Sequence, residues 1–174
     1  MATAFSFAIG VDDGLGFALD AAIRAGADLT PAMRDIAGEL EDSARAAFEN
    51  ERSPIGVPWK PSRRVAEDGG QTLTLSGDLR NSLASNWGKD FAEAGPEASG
   101  GAAAYAAIHQ FGGTIRPRRA KALKVGKRFF ASVKIPARAY LGWSDATERY
   151  AIDALIAHIG RALGGDTGGG EAAA

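Results

Sequence analysis

The sequence contains no cysteine, which excludes disulfide bonds, zinc–thiolate sites and a cysteine nucleophile. Histidine is nearly as scarce, since His109 and His158 are the only two in 174 residues. No run of about 20 consecutive apolar residues occurs, so we expect no membrane span. The first residues have no basic segment ahead of their apolar part, so we also expect no signal peptide. Apolar residues make up 45% of the chain, which is enough for a buried core.

Acidic residues are missing from one long stretch of the chain. Residues 98–144 carry nine lysines and arginines and no acid, a balance of +9. Residues 1–97 carry 9 basic and 16 acidic side chains, a balance of −7, and residues 145–174 carry 2 basic and 5 acidic, a balance of −3. Such separation of charge can steer charged partners or attract copies of the same chain. The alternative is an ordinary solvated basic loop.

The apolar periodicity predicts helices in the first part of the chain. Residues 5–11 alternate as in a half-buried strand, and residues 15–26 have helical spacing. A clearer helix follows, with Thr30 expected as its N-cap, Pro31 at its first position and Pro54 as its limit. Residues 53–64 are rich in proline and therefore irregular, with Trp59 expected to hold them against the body.

The remainder predicts short strands and a closing helix. We expect residues 62–72 to be mobile, Ser76 to cap one or two helical turns with Leu79 and Leu83, and a strand within 84–95. A hairpin turning at 126–127, a strand over 128–138 and a helix capped by Ser144 or Asp145 complete the list. For the last helix we expect a buried stripe of Ile152, Leu155, Ile156, Ile159 and Leu163, with His158 facing solvent or an interface.

This order predicts an α+β fold, in which a long N-terminal helix and a C-terminal helix pack on one face of a small antiparallel sheet. We expect one domain over residues 1–163. Residues 164–174 are rich in glycine and alanine and are expected to form a flexible tail, because they cannot bury enough apolar surface to become ordered.

The stretch "YAAIHQFGG", residues 105–113, raises the question whether His109 does chemistry. The sequence around it has neither the spacing of a metal site nor a second imidazole, and Ser76 lacks the glycine elbow of a hydrolase nucleophile. We therefore expect no cofactor, no metal and no catalytic residue. The pattern predicts a helix end closed by glycine. We expect Tyr105, Ile108 and Phe111 to pack in the core, Gly112 and Gly113 to allow the turn, and His109 and Gln110 to make buried hydrogen bonds.

The basic segment, residues 116–128, is the main functional signal in the sequence. Its cations could neutralise phosphates or meet an acidic protein face, but aromatic residues for base stacking are not interleaved among them. Arg138 is a further candidate for an interface, since a guanidinium offers a rigid fork to a carboxylate. The predicted interface residues are Arg116, Arg118, Arg119, Lys121, Lys124, Lys127, Arg128 and Arg138.

Four phrases in order resemble the phage virion morphogenesis family, the tail-completion proteins of Mu-like and P2-like phages. These phrases are residues 29–61, "LTLSGDLRNSL", "YAAIHQFGG" and "IPARAYLGWSD". The resemblance spans residues 5–163. Ala139-Tyr140 departs from the Pro-Phe common in the family, which should keep the aromatic contact and loosen the loop.

The resemblance implies a structural virion protein of the neck, not an enzyme. It implies a ring, commonly of six copies, that completes the tail and joins it to the head connector, with the tail terminator and tail tube as further partners. It places the protein in the virion, and in the host cytoplasm during assembly. The basic segment would face the connector, a tail ring or DNA in the lumen. The alternative is an assembly or packaging factor that binds the DNA backbone through the basic segment.

Overall fold

A computed structural model describes residues 28–97, 101–117, 120–125 and 128–163. The strand predicted at 5–11, the helix predicted at 15–26 and the tail at 164–174 lie outside these residues. The helices are α1 Thr30–Glu49, α2 Arg63–Asp68, α3 Asp78–Asn81, α4 Ala103–Phe111 and α5 Asp145–Leu163. The strands are β1 Leu83–Trp87, β2 Ala92–Pro96, β3 Gly113–Ile115, β4 Leu123–Val125, β5 Arg128–Phe130 and β6 Val133–Ile135.

Helix α1 is the element around which the rest is packed. Pro31 lies in its first turn, where the missing N–H costs nothing. The predicted cap was wrong by one residue, because Thr30 is already helical and Leu29 holds the N-cap position. The Asp28 carboxylate accepts a hydrogen bond from the Thr30 N–H at 3.1 Å. Helix α1 contacts α5 and both strands of the β1–β2 hairpin.

The C-terminal half of α1 builds the main hydrophobic cluster. Phe48 is fully buried and meets the Trp59 ring edge-on, with centroids 5.4 Å apart, and the Tyr140 ring at 5.3 Å. Trp59 is buried, as predicted, and its indole N–H donates to the Ala139 carbonyl at 2.9 Å. Leu79 and Leu83 complete this cluster from α3 and β1. Aromatic packing thus joins the end of α1 to two irregular segments.

The N-terminal half of α1 forms a second cluster with α5. Ala32, Met33 and Ile36 pack with Ala151 and Leu155. Ser144 caps α5, because its Oγ accepts from the Thr147 N–H at 3.2 Å. The predicted stripe was wrong at Ile156, which is 63% exposed because the side of α5 that faces α1 runs through Ala151 and Leu155. His158 is half-buried, and its Nε2 lies 2.7 Å from the Asp28 carbonyl oxygen.

The described strands form three antiparallel pairs, β1–β2, β3–β6 and β4–β5. The predicted α+β class is confirmed, although three two-stranded sheets take the place of one sheet. The single strand expected within 84–95 is a hairpin, and the strand expected over 128–138 divides into β5 and β6 at Ala131 and Ser132. The β4–β5 pairing, with Val125 opposite Arg128, agrees with the predicted hairpin, whose turn residues are not described.

Two further predictions concern mobility and membranes. Residues 62–72 contain helix α2, whose start is capped by the Ser62 hydroxyl accepting from the Val65 N–H. Their mobility in the free subunit stays a prediction. Within the described ranges, no helix is long and apolar enough to cross a membrane.

Candidate functional site

The end of helix α4 is tied to residues 138–141 by the side chain of Gln110. Its Oε1 accepts from the Tyr140 and Leu141 N–H groups, both at 3.0 Å, and its Nε2 donates to the Leu141 carbonyl at 2.7 Å. The side chain is 6% exposed. One amide therefore satisfies three backbone groups of a segment that has no regular secondary structure. We call residues 109–112 and 138–141 together the α4 junction.

Gly112 ends helix α4 and allows the chain to pass close to residues 135–137. Its φ is +71°, in the left-handed region. A Cβ placed there would lie 2.7 Å from the Ala137 nitrogen and 3.0 Å from the Ile135 carbonyl oxygen. Both the backbone conformation and the space therefore require glycine. The next residue, Gly113, opens β3 and pairs with Ile135 of β6.

His109 sits at the junction as a partly buried imidazole. Its carbonyl accepts from the Arg138 N–H at 2.7 Å, and its ring meets the Tyr105 ring edge-on at 5.8 Å. Burial, and next the Arg138 charge, lowers the pKa of His109 below its ordinary value of 6.5. Its Nδ1 is buried without a hydrogen bond to any described residue. The imidazole is therefore neutral at neutral pH, and its backbone makes the contact that holds the junction.

Two expectations for the junction need correction. Phe111 is 57% exposed and is not a core residue, because the helix turns it away from the face that carries the buried Ala106 and Gln110. Arg138 is only 5% exposed, and its Nε donates to the Lys60 carbonyl at 2.7 Å. Burial lowers the pKa of Arg138. The Nε is used within the chain, so a neighbouring subunit's carboxylate can be met only by the terminal nitrogens of Arg138.

The described cations of the basic segment are all exposed: Arg116, Lys121, Lys124 and Arg128. Arg118, Arg119 and Lys127 lie outside the described residues. The ion pairs among described residues involve other arginines, namely Arg34, Arg45, Arg63 and Arg80. No described acid therefore forms an ion pair with the four exposed cations of the basic segment. Phe129 lies opposite Lys124 in the β4–β5 pair and is 70% exposed. This surface therefore combines uncompensated positive charge with an exposed aromatic ring.

A cleft that the sequence did not predict lies beside the α4 junction. It has a volume of about 510 Å³ and four of its six lining residues are cationic: Lys60, Pro61, Arg63, Lys134, Pro136 and Arg138. We call it the basic cleft. Its residues come from two stretches about 75 positions apart, so only the fold brings them together. Arg138 is the one member that the sequence analysis named as an interface residue.

Nothing in the described residues resembles a set of metal ligands. No group of three or more His, Asp or Glu side chains is placed to hold an ion within the described ranges. The Ser76 hydroxyl donates to the Asp78 carboxylate at 2.8 Å and accepts weakly from the Asp78 N–H, so it organises the start of α3.

The fold and this site define a class, a small α+β subunit whose α4 junction supports its interior while the described cations of its basic segment face outward. The chain belongs to the phage virion morphogenesis family, whose profile matches residues 12–160. It is 30% identical over 143 residues to a protein of Escherichia phage Mu named capsid assembly protein G, covering 75% of this chain and 79% of the relative. No solved structure matches it. It is a phage virion morphogenesis protein of a structural kind.

Proposed function

We propose that the chain is a neck subunit of the tail-completion type. It forms a ring, in our proposal of six copies, at the head-proximal end of the tail and joins the tail to the head connector. The tail terminator and the tail tube are its other partners. The ring and its size are implied by the resemblance of the four motifs to the family. The family membership supports a role in virion morphogenesis.

The observation that carries this proposal is the uncompensated charge of the basic segment. Lys121, Lys124 and Arg128 are exposed and have no ion pair with any described residue. An isolated ion pair on the surface adds little to stability, but several exposed cations together attract an acidic partner and speed its association. The same strands carry Phe129, and aromatic residues are typical of the centres of protein interfaces. A subunit that must meet several neighbours has a use for such a surface.

The name of the phage Mu relative refers to the capsid. A neck ring touches the head on one side and the tail on the other, so a role in capsid assembly is compatible with a protein at this joint. The name favours the connector side of the ring over the tail-tube side.

Complementation of a phage lacking this gene tests the proposal. Lysates are examined for filled heads and tails by negative-stain microscopy, and purified particles are probed for the tagged chain. Wild-type chain should be found at the neck, and its loss should leave unjoined heads and tails. Absence of the chain from purified particles would refute the proposal.

A charge-reversal variant sharpens the test. Glutamate at Lys121, Lys124 and Arg128 should reduce joined particles by at least about tenfold, because the steering field is reversed. The control places glutamate at three exposed cations elsewhere, Arg52, Lys89 and Arg149, and makes the same change in net charge. Equal losses for both variants would attribute the effect to net charge and not to the basic segment.

A second candidate function is an assembly or packaging factor that binds the DNA backbone through the same cations. It predicts retention of duplex DNA at low salt and a steep loss of affinity as salt rises. The charge-reversed segment should abolish that retention, while the control variant keeps it. No retention of DNA by the wild-type chain at low salt would eliminate this alternative.

A further inference from the structure

The basic cleft contains a buried cation that has no ion pair with any described residue. Arg138 is 5% exposed, and its Nε–H bonds to the Lys60 carbonyl. Its two terminal nitrogens make no hydrogen bond to any described residue, and its side chain lines the cleft. A buried charge is costly unless it is paired, so a guanidinium at the cleft wall whose terminal nitrogens bond no described residue favours an anion in the cleft.

Further cations lie around Arg138 and increase the positive charge of the cleft. Lys60 and Lys134 are exposed and have no ion pair with a described residue. Arg63 is paired with Glu67 at 2.6 Å, on the exposed surface of α2. Burial lowers the pKa of Arg138, and burial, followed by the Arg138 charge, lowers the pKa of His109. Three of the four cations in the cleft thus have no counter-charge among the described residues.

We propose that the basic cleft receives the carboxylates of helix α1 from a second copy of the chain, namely Asp35, Glu39 and Asp42. We call these three residues the acidic stripe. This inference rests on the proposed ring and names the contact between its neighbouring subunits.

The acidic stripe has the geometry and the charge that the cleft requires. Its residues are spaced by four and three positions, which places them on one face of α1. Asp35 and Asp42 are exposed, and Glu39 is half-buried. Among the described residues, the only ion pair of the stripe is the exposed contact of Asp35 with Arg34 at 3.7 Å. Burial, and next the charge of Asp42, raises the pKa of Glu39, so a cation brought to this face relieves repulsion that the free subunit retains.

The contact joins two different surfaces, which is the requirement for a ring. A contact between unlike patches leaves one cleft and one stripe free after each addition, so subunits add until the rotation closes. Arg138 is suited to the inner position, because its free nitrogens form a fork that matches a carboxylate. Lys60 and Lys134 surround it with exposed charge.

A charge exchange tests this contact, with self-association measured by sedimentation velocity over a concentration series at low and physiological salt. Lys134→Glu and Glu39→Lys should each weaken association by about tenfold or more. The double variant should recover most of the loss, because the exchanged charges meet across the interface. A mixture of the two single variants should also recover association, because native contacts and exchanged contacts can alternate between the two chains. Lys89→Glu, at an exposed lysine outside both the cleft and the basic segment, is the matched control and should associate like wild type.

Several outcomes overturn the inference. One is a wild-type chain that stays monomeric in solution while Lys134→Glu still builds joined particles. Another is loss in both single variants with no recovery in the double variant. A DNA site is indicated if Lys134→Glu loses DNA retention and Glu39→Lys does not. A site for another virion protein is indicated if Lys134→Glu fails to enter particles while its self-association is unchanged. That last result leaves the proposed neck function intact. Absence of the wild-type chain from particles would refute the neck function, while sedimentation of the purified protein would still decide whether the cleft and the stripe meet.

Discussion

The α4 junction and the basic segment are neighbours along the chain and use their polar side chains in opposite ways. At the junction, Gln110 is buried and bonded to three backbone groups. In the basic segment, Lys121, Lys124 and Arg128 are exposed and without ion pairs to described residues. The junction therefore supports the fold, while the segment is free to meet partners. A motif that is easily recognised in sequence need not be the surface that acts.

Removing the amide of Gln110 should have the largest effect on stability. Gln110→Ala leaves two N–H groups and one carbonyl of residues 140–141 without partners, which costs about 3 kcal/mol at about 1 kcal/mol or more for each group. The melting temperature should fall by roughly 10 °C. Gln71→Ala, at an exposed position, is the control and should change little. A drop of the same small size in both variants would break the contrast between junction and surface.

The second prediction concerns the glycine that closes α4. Gly112→Ala should destabilise by about 2 kcal/mol or more, because it adds left-handed strain to a collision with the Ala137 nitrogen. Gly56 has a φ of +85° and open space around it, so Gly56→Ala should cost only the strain, about 1 kcal/mol. Chemical denaturation of both variants separates the two contributions. Equal losses would show that the close approach at Gly112 costs nothing.

The third variant, at Tyr140, should raise the stability of the fold and not lower it. The Tyr140 hydroxyl is buried without a partner among the described residues, and burial raises its pKa well above the ordinary value. Tyr140→Phe keeps the ring contact with Phe48 and removes the unpaired group, so it should stabilise by about 1 kcal/mol. Thermal unfolding measures the change. Destabilisation would instead reveal a hydrogen-bond partner outside the described residues.

The pH dependence of stability tests the neutral state of His109. Its pKa is lowered in the folded chain, so below about pH 6.5 the unfolded chain binds a proton that the folded chain resists. Its contribution is therefore complete above that pH and is lost as the pH falls toward the folded pKa. His109→Gln should remove this part of the acid loss. Melting curves between about pH 7.5 and about pH 5 give the comparison, and parallel curves for both chains would contradict it.

The basic segment should show the smallest effect on stability. Glutamate at Lys124 or Arg128 should change the free energy of unfolding by less than about 0.5 kcal/mol, since neither side chain has a described partner to lose. The assembly of particles should nevertheless suffer, as proposed above. A large loss of stability would show that the basic segment supports the fold, as the α4 junction does.

Periodicity and caps predicted much of this fold because they are local signals. Helix α1, the closing helix, the glycine end of α4 and the burial of Trp59 follow from short patterns. Strand lengths did not, since Ala131 and Ser132 interrupt a stretch whose β-propensity looks continuous, and pairing partners are set by tertiary contacts.

The site was less predictable than the fold. The sequence indicated buried hydrogen bonding for Gln110, but not that residues 140 and 141 receive it. Phe111 was placed wrongly, and the burial of Arg138 was not foreseen, because a motif does not show which side of a turn faces the core. The basic cleft depends on Lys60 and Lys134 coming together from distant parts of the chain, and no local pattern carries that information.

Arg138 has a consequence for how this chain can evolve. Its Nε donates to the carbonyl of Lys60 in the interior, and the same side chain lines the basic cleft. A substitution of Arg138 therefore affects both the packing of the interior and binding in the cleft, whereas substitutions of the Lys60 and Lys134 side chains affect only binding in the cleft. When a lineage changes partners, the two lysines should therefore diverge first, and the arginine should be the last of the three to be replaced.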